Sequence, residues 1–456
     1  MTEKKKDIPS LDVIGQTGLN RSGGYVYEEW LPQLSGNRAT KVYREMRDND
    51  AVVGAIILAI ESLIREVEWR VVPANDTAEA AAAAVFLEQC IGDMSTTWGD
   101  FVNEILSMFV YGYSYFETVY KRRGGDADDS KFKSKYNDGR IGWRKFSVRA
   151  QDSIVRWSFD DDGGINGAIQ QCAPYYTDTF LPIERCLLFR TTTNKNNPEG
   201  RSMLRNAYRS YYFVKRIQEI EAIGIERDLA GLPVIEVPEE LMSTKANASQ
   251  KALRNSLEQL VQQIRRDQRE GVVMPSAVGR DGKPTGYKLS LLASGGRRQI
   301  DSDAVIKRYE GRIAMTVLAE FIMLGLDAHG SFALAHEKTH LFAKSVKGIL
   351  DDIESTFNRY AVGNLFKFNP EFDSKDWPLI EHGDIETPPL EEMANYVQKL
   401  TMAGLLTPDK ALEEKLRAIA DLPPLPDDEV DLEDMDIIDP NEDEPAPLDD
   451  TEDVED

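Results

Sequence analysis

An α+β fold is predicted for this chain of 456 residues by three observations. Two long segments within 299–369 repeat their apolar residues every three or four positions, the spacing of helices with a face to bury. Between 124 and 200, short β-branched and aromatic runs alternate with turn residues. An insert at 232–298 carries strand and helix patterns in turn and interrupts the helical part.

Taken in order, residues 1–38 are punctuated by Gly, Ser and Pro and predict a flexible N-terminal arm. Residues 39–66 predict a helix or a helix pair, with Val52, Val53, Ile56, Ile57, Ile60, Leu63 and Ile64 crowding one side. The run Trp69-Arg-Val-Val-Pro73 reads as a strand. Asp76 or Thr77 caps an alanine-rich helix to about Cys90, and Thr96 or Thr97 caps another through Tyr111. A strand follows at 113–121, and shorter ones at 143–148, 154–159, 165–171 and 186–190, with Asp160-Asp-Asp-Gly-Gly164 as a hairpin turn.

Residues 202–229 then predict a long helix ending at Gly231, with Pro233 just beyond. The insert offers strands at 233–238, 271–275 and 287–292 and a charged helix at 249–269. Next comes the helix pair. Its first member, 301–324, is capped by Asp301 or Ser302 and carries the stripe Val305, Tyr309, Ile313, Val317, Phe321 and Leu324. Lys307, Arg308 and Arg312 fall away from that stripe, while 313–324 is apolar almost all round and calls for enclosure by other helices or by neighbouring subunits. A link of Gly325, Leu326, Asp327, Ala328, His329 and Gly330 leads to Ser331, read as the N-cap of the second helix, 331–366. Residues 373–385 read as loop and 388–420 as two short helices broken at 404–408.

The net charge of −24 is concentrated at one end. Residues 421–456 hold 18 of the 78 acidic side chains and no Lys or Arg, leaving 60 acidic against 54 basic elsewhere. Such a tail, rich in proline, predicts disorder. The nearly neutral body argues against tight gripping of nucleic acid, which rests on phosphate neutralisation. No signal peptide is expected at the polar N-terminus, and no run reaches the roughly 18 apolar residues a membrane span needs. Cys90, Cys172 and Cys186 lack CxxC spacing and read as buried free thiols.

One motif suggests chemistry. His336-Glu337-Lys-Thr-His340 fits HExxH, in which two histidines on one helical face bind zinc and the glutamate activates water. The best downstream carboxylate, Glu354, lies about 21 Å further along the same helix at ~1.5 Å per residue, too far to complete the site. Neither a phosphate-binding loop nor a G-x-S-x-G elbow is present. A zinc hydrolase using this segment, or a scaffold without a channel, stands as the alternative reading.

An ordered set of motifs points elsewhere: Met46-Arg-Asp-Asn-Asp-Ala-Val-Val53, Trp69-Arg-Val-Val-Pro73, Tyr111-Gly-Tyr-Ser-Tyr-Phe-Glu-Thr-Val-Tyr120, Gly200-Arg-Ser-Met-Leu204, Glu226-Arg-Asp-Leu-Ala-Gly-Leu-Pro-Val-Ile235, and the 325–331 link. Together they resemble the portal proteins of tailed bacteriophages, most closely the Mu-type branch, over about residues 40–420. The resemblance implies a wing at 39–200, stem helices at 201–231 and 299–324 framing a small α/β clip at 232–298, and a tunnel loop at 325–330. It implies further a long helix returning to the wing at 331–383, a helical crown at 384–420 and the acidic tail at 421–456. Gly325, Leu326, Asp327, Ala328, His329, Gly330 and Ser331 would face DNA, and Lys307, Arg308 and Arg312 would form the stem's basic face. The same resemblance implies a homo-oligomeric ring, typically a dodecamer, at one capsid vertex of the virion, assembled in the host cytoplasm. No catalysis, cofactor or metal is implied. Its partners would be the terminase large subunit, the major capsid or scaffold protein, a head-tail adaptor, and double-stranded DNA passing without sequence specificity.

Overall fold

Gly23 and Gly24 both adopt positive φ, which turns the chain tightly between two short strands, β1 (Arg21–Ser22) and β2 (Tyr25–Val26). The structure is a computed structural model and describes residues 15–127, 129–230, 232–243, 246–263, 286–292, 301–316, 332–385, 390–406, 409–419 and 422–423. A flexible arm over 1–38 is therefore corrected for its described part. Val26 and Leu34 are buried, the Trp157 amide donates to the Gly24 carbonyl at 2.8 Å, and Glu29 pairs with Arg205. These partners lie more than a hundred residues away, so local composition does not disclose them.

The predicted helix pair is α1 (Gly36–Asn49) and α2 (Ala51–Glu66), separated by Asp50, whose carboxylate accepts from the Val53 amide at 2.9 Å and caps α2. Strand β3 (Trp69–Val72) leads to α3 (Ala78–Gly92), α4 (Trp98–Ile105) and α5 (Ser107–Tyr111). Of the alternative caps, Thr77 and Thr97 are the ones used, accepting from Ala80 and Asp100. Gly112 closes α5 at φ +96°, and a Cβ there would meet the Glu199 carbonyl at 2.5 Å. The backbones of 112 and 199–202 thus touch only because residue 112 is glycine.

Strands β4 (Tyr113–Arg122), β5 (Ile141–Arg149), β6 (Ile154–Phe159), β7 (Ile165–Gln170), β8 (Thr179–Pro182) and β9 (Cys186–Arg190) make two antiparallel sheets, ordered β5-β4-β9 and β6-β7-β8. Two cysteines, Cys90 and Cys186, are buried free thiols as expected; Cys172 is exposed, because it falls in the turn after β7. Helix α6 (Tyr208–Ala230) then opens the segment holding β10 (Leu232–Glu236), α7 (Glu239–Met242), α8 (Ala248–Gln263) and β11 (Lys288–Leu292). β10 and β11 pair antiparallel. The expected strand at 271–275 lies outside the described residues.

Helix α9 (Ser302–Thr316) covers the described part of the expected 301–324 helix. Its partner is α10 (Phe332–Thr356), which runs through a π turn, Phe357–Val362, into α11 (Gly363–Lys367). The π turn delivers Phe357 into the main core. Its ring meets Trp98, Phe101, Trp143 and Phe146 at centroid distances of 5.0, 5.7, 5.4 and 5.5 Å. Just beyond, the buried Asn369 amide accepts from the Ile141 amide and donates to the Ile141 carbonyl, 2.9 Å each, clamping the start of β5. The segment 373–385 is not simply loop: β12 (Leu379–His382) pairs antiparallel with β3. A four-residue strand whose partner is about 310 positions away leaves no local signature.

Two units are distinguished, Met1–Ile385 and Glu386–Asp456. The second contains α12 (Leu390–Met402) and α13 (Lys410–Ile419), with Gly404 at φ +64° between them, matching the two short helices predicted. Most of the acidic tail lies outside the described residues.

Truncating the ring at the hub should be costly. Phe357→Ala is expected to destabilise the fold by about 3–5 kcal/mol, and Phe357→Leu by clearly less. Denaturant unfolding followed by tryptophan fluorescence measures both, since Trp98 and Trp143 touch the ring.

Candidate functional site

Period-3.6 spacing makes α6 and α9 two-faced helices, and the faces they bury meet each other. Phe213 stacks on Tyr309 with centroids 5.6 Å apart and rings 27° from parallel, while the Ser302 hydroxyl donates to the Glu221 carboxylate at 2.5 Å. Residue 302 thus lies by 221 and 309 by 213, so the helices run antiparallel. Ile313 and Ala314 of α9 and Val214 of α6 are fully buried, and α9 also packs on α2. From α1, Glu45 receives the Lys215 ammonium; that hydrogen bond, with the Lys215 charge, holds the carboxyl below its ordinary range against the effect of burial. The helix pair is thereby tied to the N-terminal helices by both apolar and ionic contacts.

Charge is sorted across α9. On its inner side, burial first and then the nearby Asp50 and Asp303 carboxylates push Glu310 up. On its outer side Lys307, Arg308 and Arg312 are exposed, as the stripe spacing predicts. Lys307 lies 2.9 Å from Asp303 one turn earlier. The Arg308 and Arg312 guanidiniums each stand 5.5 Å from the Tyr309 ring, close enough for the ring to steady them. An exposed helix face with this few cations suits weak, sequence-independent contact with a polyanion. Beside it, α6 leaves Tyr212, Ile220, Ile223 and Ile225 uncovered, and α9 leaves Met315.

The link residues Gly325, Leu326, Asp327, Ala328, His329, Gly330 and Ser331 lie outside the described residues. The HExxH segment is helical, within α10. His340 is exposed, and nothing is described of the His336 and Glu337 side chains. Glu354 does not turn toward the motif: its carboxylate accepts from the His382 amide at 3.1 Å. The His382 ring joins it, with Nε2 2.9 Å from Asp351 Oδ1 and Nδ1 2.7 Å from the Gly383 carbonyl. Among the described residues no group of three His, Cys, Asp or Glu side chains has the geometry of a metal site. Sequence reading missed the His382 cluster, because its residues come from β12 and α10 and share no spacing.

If the Phe213 and Tyr309 rings hold α6 to α9, a double-mutant cycle with Phe213→Ala and Tyr309→Ala should return a coupling of about 0.5–1.5 kcal/mol in denaturant unfolding. Additive effects would contradict the pairing.

With this geometry in hand, known proteins provide a comparison. A family described as the portal protein of Mu bacteriophage matches residues 40–418. No curated protein matches the sequence. Among solved structures, a chain in the virion of a native gene transfer agent particle is similar at 10% identity and a TM-score of 0.50, over 89% of this chain and 97% of that one. A chain in the neck of a native gene transfer agent particle, computed with C12 symmetry, is similar at 11% identity and a TM-score of 0.49, over 90% and 97%. An HK97 family phage portal protein from Corynebacterium diphtheriae is similar at 11% identity and a TM-score of 0.42, over 75% and 94%.

Proposed function

The chain belongs to the family of the portal protein of Mu bacteriophage, and on that premise we propose that it forms a closed ring at one vertex of a phage-type capsid, the conduit through which double-stranded DNA is packaged and ejected. The observation that carries this reading is the antiparallel α6–α9 pair, which frames the β10–β11 segment and leaves apolar side chains of both helices uncovered. In a ring each subunit offers one face to the next and a different face to the previous one, so such surfaces find cover only on assembly.

In this reading α6 and α9 are stem helices, the segment between them is the clip, 39–200 is the wing, and 384–420 is the crown. Residues 325–331 form the tunnel loop, and Lys307, Arg308 and Arg312 face the passing DNA. Three cations on a face whose body carries a slight acidic excess screen phosphate without holding it, which suits a strand that must slide. The ring is taken to hold twelve copies and to dock the terminase large subunit, a major capsid or scaffold protein and a head-tail adaptor. Its role is structural rather than catalytic. No helix among the described residues is long and apolar enough to cross a membrane.

Mass measurement of the purified 51.3 kDa chain, with negative-stain imaging, is expected to show large rings with a central hole. A strict monomer at every concentration contradicts the proposal, and particles without a hole favour a scaffold. Deleting residues 421–456 is expected to leave the rings intact, since like charges at that density repel one another rather than glue subunits; loss of rings on deletion would refute this view of the tail.

A further inference from the structure

Beneath the β1–β2 hairpin and the chain that follows it lies a cavity of about 710 Å³, within the range of small-ligand sites. Its walls include Trp157 of β6, Tyr113 of β4 and Tyr43 of α1, each less than a tenth exposed. Trp157 and Tyr113 meet edge to face with centroids 5.3 Å apart. Into the same cavity comes Glu199, held by the left-handed turn at Gly200. The only partner its carboxyl finds among the described residues is the Trp157 indole, which donates to it.

A desolvated carboxylate is normally paired with a cation, and here the cations nearby are either paired with other carboxylates or exposed to solvent. Arg205 is bound to Glu29, and Lys195 lies 2.9 Å from Glu28. Arg201 donates to Asn206 at 2.8 Å. Arg38, at the start of α1, is exposed. Facing Glu199 from β4 is Tyr113, whose hydroxyl is pushed up by burial and then by the Glu199 and Asp152 carboxylates. Tyr43 is pushed up to about 12, by burial first. Neither tyrosine supplies a positive charge.

We propose that this cavity binds an organic cation, an ammonium or guanidinium group, with Glu199 as counter-ion and the Trp157, Tyr113 and Tyr43 rings as walls. Aromatic faces attract such cations most strongly where water is excluded, and a carboxylate at the rim of the rings completes the recognition. Ion pairs Glu29–Arg205 and Glu28–Lys195 close the cavity edges with balanced charge; Arg38 and Arg201, also on its wall, are exposed to solvent, and Glu199 is the acid set beside the rings. Burial pushes the Glu199 carboxyl up to about 7, against the lowering effect of the indole hydrogen bond. The carboxylate that binds the cation is therefore the minority form at pH 6 and the majority form at pH 8. The proposal is independent of ring formation.

Calorimetric titration of the full chain with n-butylammonium tests it. Binding is expected at pH 8, roughly tenfold weaker at pH 6, and lost in Glu199→Gln; n-butanol should not bind. Glu199→Gln reproduces the neutral form and should fold, which its melting curve checks. N-acetyl-lysine methylamide separates the sources: binding of both probes assigns a basic side chain of a partner protein, and binding of n-butylammonium alone assigns a free amine, each supporting the site. Equal binding to Glu199→Gln, equal binding of n-butanol, no binding at pH 8, or affinity unchanged between pH 6 and pH 8 would overturn it.

Discussion

The insertion of Phe357 among Trp98, Phe101, Trp143 and Phe146 is the contact on which the rest of unit Met1–Ile385 depends. It obliges a helix that begins at Phe332 to end inside a core built mostly from residues up to Tyr211. The π turn at Phe357–Val362 is part of that device, since a wider turn re-aims side chains relative to a regular helix. Asn369 and the β12–β3 pairing then secure the chain on the far side. The same core also places α9, which reaches it through Ile313 and Ala314.

From this anchoring follows the separation of charge on α9. Glu310 faces the buried side, where the cost of ionisation is higher, while Asp303, Lys307, Arg308 and Arg312 remain in water. Cations in that setting are screened within roughly 8 Å at physiological salt. In the proposed function they would meet a polyanion at short range and release it readily. A conduit has that requirement, whereas a DNA-binding domain needs a denser basic surface.

Much of the architecture was legible in the sequence because it is locally encoded. Helices α2, α3 and α10 follow their apolar spacing, Thr77 and Thr97 act as caps, and Asp160 to Gly164 forms the hairpin turn, with the Asp160 amide donating to the Gly164 carbonyl at 3.0 Å. What escaped is non-local. β12 exists through β3, the β1–β2 hairpin through β6 and Arg205, and β8 is a four-residue edge strand defined by β7. The basic face of α9 could be foreseen, since it needs only helical periodicity. Glu199 could not, because its burial is produced by an aromatic pair from two strands and a hairpin more than 170 residues earlier. The ordered motifs were a stronger guide to family than any single residue.

The central claim is that α9 lines the bore of a ring. A three-dimensional reconstruction of the assembled oligomer tests it most directly. The account predicts an open central channel with the Lys307, Arg308 and Arg312 face of α9 turned toward the axis. An assembly with that face on its outer rim, or with no through-going channel, would contradict it.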